Sequence, residues 1–381
     1  MPIGVYTLQA LVIGATLFAL VNKRILQAQI LVWTVGVVAV AWRYDLSDQL
    51  SFYSNDQVYY TAIVRILWSG DWPTDLSWWL DSGKIPYTFS ALPLTLMGVH
   101  ETLALKAVSL ICFLSLTSLV LNRSNSSQLT TQVRGLYLTG CGMIGSFFSI
   151  LALRETMMML FAYLFATSRT ASVRVASIMA LGILRSHLAI ALILAELIIT
   201  VWQWFVRRQN MGFGFAPTLT ILGVVIGNSL YTVRMRDLRG LEVPFFNNWG
   251  IREIIQIASN YVGLQFLTSE SWNINFSITD LLMLRVVLSE TVVIPALFIT
   301  LMLFAAPRMT RVDHVTLLAF SIYISIATNT DFNSFRQNIP FMPLMGLAII
   351  HFLDASRHST RHSNSTSSEL DHYVLSAPRG T

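Results

Sequence analysis

The stretch LAIALILAELIITVWQWFV, residues 188–206, decides the fold. It carries one ionisable residue, Glu196, and has no polar face. A soluble core helix would alternate apolar and polar faces at a helical period. At 1.5 Å per residue this stretch extends about 28 Å, close to the roughly 30 Å hydrocarbon core of a bilayer. Ionisable residues bracket it, Arg185 and His187 before and Arg207 and Arg208 after. It reads as a transmembrane helix.

The same pattern recurs along the chain. Apolar runs fall near 5–21, 25–42, 102–121, 135–153, 156–168, 175–187, 188–206, 216–233, 287–306, 315–329 and 338–353. Hydrophobic residues make up 54% of the chain and charged residues 12%, half the share usual in soluble domains, which argues against a soluble globular protein. The expected fold is all-α, a polytopic transmembrane bundle of eleven spans over residues 1–353, with two longer extracytoplasmic segments. The run 5–21 lacks a basic flank and a clear cleavage site, so it is expected to be a retained span. Cys112 and Cys141 sit inside apolar runs and suit small hydrophobic roles, with no disulfide or zinc spacing. There is no basic stripe with interleaved aromatics, so no nucleic-acid partner is expected.

Basic residues in short gaps set the orientation. Alternate gaps carry Lys23 and Arg24, Arg123 and Arg134, Arg169 and Arg174, Arg207 and Arg208, and Arg308 and Arg311. These gaps are expected to be cytoplasmic, together with a disordered Ser/His/Thr/Arg-rich tail over 354–381. The N-terminus is then outside and the C-terminus inside. The two outer segments are 43–101 and 234–286. The first is acidic and rich in Trp and Tyr, which favour the headgroup level. Within it, Val58 to Trp68 is apolar on one side and suits the membrane surface, while Ile85 to Val99 suits a re-entrant segment.

Polar residues in costly places carry the functional reading. Spans 156–168 and 175–187 are short, about 20 Å each as helices. Arg154 and Glu155 precede the first, and Arg185 and His187 close the second. To make up the length these groups must sit below the outer surface, and buried charges face a protein interior or a wet cavity. The expectation is an outward-facing cavity lined by Arg154, Glu155, Arg185 and His187. The alternative is an Arg154/Glu155 ion pair with a snorkelling Arg185. Outer-side arginines recur at span ends, at Arg43, Arg154, Arg185 and Arg336, and planar guanidinium forks suit phosphate. Glu196 is either functional or an interhelical hydrogen-bonding group, and Lys106 is expected to snorkel. Asp56 lies between Phe52/Tyr53 and Tyr59/Tyr60, where a carboxylate with a raised pKa suits a general base. A divalent metal held by Asp56 with Asp45 or Asp48 is the other possibility. No other cofactor is implied.

The chain also resembles known families in layout. Two spans around a short basic turn lead into an outer segment with Arg43 and then Asp56-x-x-Tyr59-Tyr60. Leu-Arg154-Glu155-Thr opens a mid-chain span, and Phe-Arg336-Gln-Asn-Ile-Pro340 enters the last one. This layout resembles the Wzy-type O-antigen and exopolysaccharide polymerases and the GT-C superfamily of membrane glycosyltransferases. The resemblance implies a bacterial inner-membrane enzyme that takes a hexosyl or pentosyl unit from a polyprenyl-phosphate or -diphosphate donor to a glycan acceptor on the outer face. It implies Asp56 as the base and Arg154 and Arg336 as diphosphate binders. Glu155 is a second candidate catalytic acid, and Arg43, Arg185, His187 and Tyr59 are further candidate substrate contacts. Trp72, Trp78, Trp79 and Tyr87 are candidates for stacking on sugar rings. The sequence departs from the GT-C pattern in placing the acidic loop after the second span. The polymerases' Arg-rich outer loop is matched only by Arg234, Arg236 and Arg239. The rival classes are a transporter or flippase for a glycolipid or small anion, and a non-catalytic membrane assembly subunit.

Overall fold

The computed structural model describes residues 55–70, 74, 85–124, 154–205, 215–239, 293–305, 310–329 and 338–352. Of these, 92% are helical and none lies in a strand, so the described part is all-α. The spans expected at 5–21, 25–42 and 135–153 lie outside the described residues, as do 43–54, 71–73 and 75–84 of the first outer segment, 240–286 of the second and the tail 354–381. The other eight expected spans each contain a described helix.

Three helices form a first group: α1 (Asn55–Ser69), α2 (Ile85–Leu96) and α3 (Glu101–Ser124). In α1 the apolar residues Tyr60, Ile63, Val64 and Leu67 follow helical spacing and are buried, while Val58, Tyr59 and Trp68 are exposed. α2 turns back into α3 through Gly98, whose φ of +85° belongs to the left-handed region. There the Gly98 amide donates to Thr95 O (2.9 Å) and the Val99 amide to Leu94 O (3.1 Å), the paired bonds of a glycine-terminated helix end. The expected re-entrant segment is thus one arm of a helical hairpin. Within the 20-residue stretch Glu101–Val120, 72% of one apolar window is buried, so α3 is a central element.

A second group follows: α4 (Glu155–Thr167), α5 (Ala171–Leu184) and α6 (Ser186–Phe205). The expected span at 175–187 needs correction. Its helix starts four residues earlier and ends at Leu184, because Arg185 takes extended backbone (φ −162°, ψ 91°) and breaks the run. Arg185 is therefore the joint between two helices, and His187 opens α6 instead of closing α5. α6 is peripheral, with 33% of its most apolar stretch buried.

The remaining helices are α7 (Phe215–Arg239), α8 (Val293–Ala305), α9 (Arg311–Asn329) and α10 (342–352), the last entered through a 3-10 turn at Ile339–Phe341. α7 runs past its expected end at 233, so Arg234, Arg236 and Arg239 are helical and not part of a loop. α7 and α9 pack most closely, and Gly223-Val-Val-Ile-Gly227 explains why. A Cβ on Gly223 would lie under 3.0 Å from Ser321 Cβ, and one on Gly227 equally close to the Ile322 carbonyl oxygen. Small residues four apart let helix backbones meet in this way. Ser325 Oγ, on α9, uses the approach to donate to Val224 O at 3.0 Å.

Polar contacts fix the helix directions. Arg154 donates to Leu184 O at one end of the α4/α5 pair, and Arg174 Nε donates to Phe165 O (3.1 Å) at the other. Along α6 and α9, the Arg185 guanidinium lies 5.6 Å over the Tyr323 ring, while Glu196 meets Arg311 at the far end. Phe341 contacts Phe320 and Tyr323, and His351 reaches Asp313 at the opposite end. So α4, α5, α6, α9 and α10 alternate in direction. Among the described residues two helices, over Glu101–Val120 and Ser186–Trp204, are long and apolar enough to cross a membrane.

Candidate functional site

At the end of the bundle that holds Arg154, the chain gathers several expected site residues. Glu155 begins α4 in the interior, 2% exposed. An acid in a helix's first turn is favoured by the helix dipole, which helps to hold a carboxylate where few are found. It lies close enough to Tyr87 for the two to interact electrostatically. Tyr87 is fixed by donating to Leu105 O (2.9 Å) and by a 2.7 Å hydrogen bond with Ser109, two turns along α3. The half-buried Arg154 bonds to the last carbonyl of α5, which leads directly into Arg185. Arg185 covers Tyr323, Tyr323 touches Phe341, and the buried Asn338 caps the turn that holds Phe341. His187 is half-buried beside Ser186, 3.3 Å from its hydroxyl.

α1 joins the same neighbourhood. Tyr60 is buried with its ring edge-on to Tyr87, centroids 5.4 Å apart, and the half-exposed Tyr59 packs edge-on to Tyr60. Asp56 is the second residue of α1, one helical turn before Tyr60, and its side chain lies outside the described part. Further along α1, Thr61 bonds to Thr102 and Arg65 reaches Glu101 at 3.4 Å. Arg43, Asp45, Asp48, Arg336, Trp72, Trp78 and Trp79 lie outside the described residues. Among the described residues no cluster of acids, His or Cys is suited to a metal.

Two expectations need correction. Tyr87 cannot stack on a sugar ring, because it is completely buried and both sides of its hydroxyl are engaged by α3. Lys106 does not snorkel, because it lies on the packed face of α3 and is 0% exposed.

The opposite end holds a second constellation. One oxygen of Glu196 accepts from Arg174 Nη2 (2.6 Å) on α5 and from Arg311 Nη2 (2.7 Å) on α9. Arg311 also donates to Thr200 Oγ1 (2.6 Å), and Arg174 stacks 5.1 Å over the Phe165 ring. Of its two readings, Glu196 is thus an interhelical ionic clasp. Beside it opens a cavity of about 280 Å³ lined by Ser168, Arg169, Arg174, Glu196 and Arg311. Next to this, Thr310 and Asp313 form a reciprocal N-terminal cap on α9, and Asp313 meets His351 at 3.3 Å. The sequence reading treated Arg169, Arg174 and Arg311 as topology markers only. Arg174 and Arg311 are 22 and 115 positions from Glu196, and no local pattern links them. The cap alone was readable, from Thr310-x-x-Asp313.

Set against protein-family models, curated proteins and solved structures, the chain matches none of them.

Proposed function

We propose that the protein is a multi-pass membrane glycosyltransferase or polysaccharide polymerase, using a polyprenyl-phosphate or -diphosphate sugar donor. The observation that carries this reading is the convergence at one end of the bundle of Arg154, Glu155, Arg185 and the aromatic edge of α1 next to Asp56. Arg336, two residues before Asn338 in the sequence, is proposed as the third arginine of this set. The exposed apolar faces support the membrane setting: Ile190, Ile193, Leu197 and Val201 form a stripe along α6, and Val175, Met179 and Ile183 one along α5. Trp202 and Trp204 close the α6 stripe, as aromatic belts do at membrane interfaces.

In this reading Asp56 takes the proton from the acceptor hydroxyl. The acceptor oxygen forms a bond to the anomeric carbon while the bond from that carbon to the donor phosphate oxygen breaks. The leaving lipid phosphate keeps the electron pair and is stabilised by the guanidinium groups of Arg154, Arg185 and Arg336. The buried Glu155 orients the arginines or shares the proton. The test is transfer by the purified protein in nanodiscs supplied with a panel of polyprenyl-linked sugars. Transfer that falls roughly 10²-fold in Asp56→Asn supports the reading. No transfer with any donor, together with anion or glycolipid movement across proteoliposomes, moves the protein to the transporter class.

A further inference from the structure

We infer that the cavity at the end of the bundle opposite Arg154 is a binding site for a phosphate group. Three guanidiniums and one carboxylate line it, Arg169, Arg174, Arg311 and Glu196, so its walls carry two net positive charges. Glu196 does not neutralise the site; it holds Arg174 and Arg311 in place with one of its oxygens. Phe165 stacks under Arg174 and Thr200 anchors Arg311, so both forks are already ordered and lose little freedom on binding. Among the described residues, Nη1 of both arginines and the whole exposed guanidinium of Arg169 have no protein partner.

A second feature points the same way. α5 starts beside Arg169, and its N-cap residue Thr170 makes no side-chain capping bond. The first residues of this 14-residue helix are exposed there, and the helix start adds the positive end of its dipole. Arg169, in the turn between α4 and α5, stands next to this helix start.

The cavity of about 280 Å³ lies at or below the roughly 300–1,000 Å³ typical of small-molecule sites. It suits a phosphate-bearing headgroup or a free phosphate ester and not a whole nucleotide. Planar forks at fixed spacing favour phosphate oxygens over a halide. This site does not depend on the transfer chemistry proposed above, and its test uses no transfer assay.

The experiment measures binding to the full chain by two arms. Native mass spectrometry in detergent compares phosphatidylglycerol with phosphatidylcholine, and thermal unfolding follows titration with inorganic phosphate and glycerol 3-phosphate. A preference for phosphatidylglycerol alone identifies a lipid headgroup as the source, and a shift with the soluble esters identifies free phosphate. In either arm, Arg169→Ala should bind about tenfold more weakly, the size of one charge-assisted contact. Because Arg169 is exposed, this variant should unfold at the wild-type temperature without ligand, and Arg169→Lys should bind between the two. Wild-type binding in Arg169→Ala overturns the assignment. So does the failure of phosphatidylglycerol, inorganic phosphate and glycerol 3-phosphate, the anionic probes, to bind better than zwitterionic phosphatidylcholine or chloride.

Discussion

At Glu196 a single carboxylate oxygen accepts from guanidiniums on two other helices, and much of that region's polar order depends on it. Its side chain is 20% exposed, and those of Arg174 and Arg311 are 30% and 43% exposed. The pairs are thus neither fully screened nor fully desolvated, and the gain from each lies between the surface and buried extremes. Removing the carboxylate leaves two cations near each other with no counter-charge. Glu196→Gln should therefore lower stability by about 1–3 kcal/mol, read as a fall in the unfolding temperature in detergent. The double variant Glu196→Gln/Arg311→Gln should lose less than the sum of the single losses, because the second change removes one of the stranded charges. Strict additivity would show that the clasp is not an energetic unit. At the other end, the role of the arginines is tested by Arg185→Ala. It should weaken transfer while leaving the fold intact, since the guanidinium rests over the Tyr323 ring and its contribution there is about 0.5–2 kcal/mol. Loss of folding would assign Arg185 to structure instead of substrate.

Helix packing turns on residues without side chains. Gly227 and Gly182 both lie inside helices, and their surroundings differ completely. A Cβ at Gly227 meets the backbone oxygen of Ile322, which cannot rotate away, whereas a Cβ at Gly182 meets nothing within 4 Å. Gly227→Ala should therefore cost about 1–3 kcal/mol by forcing α7 and α9 apart. Gly182→Ala should stabilise by about 0.5–1 kcal/mol through helix propensity alone. Thermal unfolding of the two variants side by side checks this, and two shifts of the same sign would contradict the close α7/α9 contact. The helices themselves were legible in the sequence, because uninterrupted apolar runs between charged gaps leave few alternatives. The break near Arg185 was legible to within three residues, because Arg185 and His187 close the apolar run, but nothing in Ile-Leu-Arg-Ser-His says which residue leaves the helix. The extensions of α7 to Arg239 and of α9 back to Arg311 are not legible, since charged residues look like span ends where the helix in fact continues. Gly223-x-x-x-Gly227 was visible as a pattern, and only the packing tells which helix it meets. Among the site residues, Arg154, Glu155 and Arg185 were singled out because charge beside a short apolar run is costly. Tyr87 was misread because an aromatic residue in an acidic segment looks exposed until its partners on α3 are known.

The alternation of α4, α5, α6, α9 and α10 gives the molecule two chemically distinct ends. One holds Arg154, Arg185 and His187 with buried Glu155, and the other holds Arg169, Arg174, Arg311, Asp313 and His351. In a soluble protein both ends would face the same water, and the exposed stripes on α5 and α6 would need a protein partner. In a bilayer the stripes face lipid, and the two ends face opposite compartments. Ser186, at the Arg185 end, and Ser172, at the Arg169 end, are both exposed and lie on helices whose ends they mark. With Cys112 and Cys141 replaced by alanine, Ser186→Cys should react with a membrane-impermeant maleimide added to intact cells. Ser172→Cys should react only after the membrane is opened or inverted. The positive-inside bias sets this direction, because the Arg169 end is one of the regularly spaced basic ends. The α5 helix between the two sites is about 21 Å long, so both residues must lie near the limits of the hydrocarbon core or in a wet inlet that thins it. An inlet on the Arg185 side would also be the path by which a phosphate donor reaches Arg154. Ser186→Cys should then react faster than a cysteine placed at the exposed Ile190, one turn further along α6. Labelling of Ser186→Cys and Ser172→Cys from the same side would remove the two-compartment arrangement, and with it the basis for placing sugar transfer on the outer face.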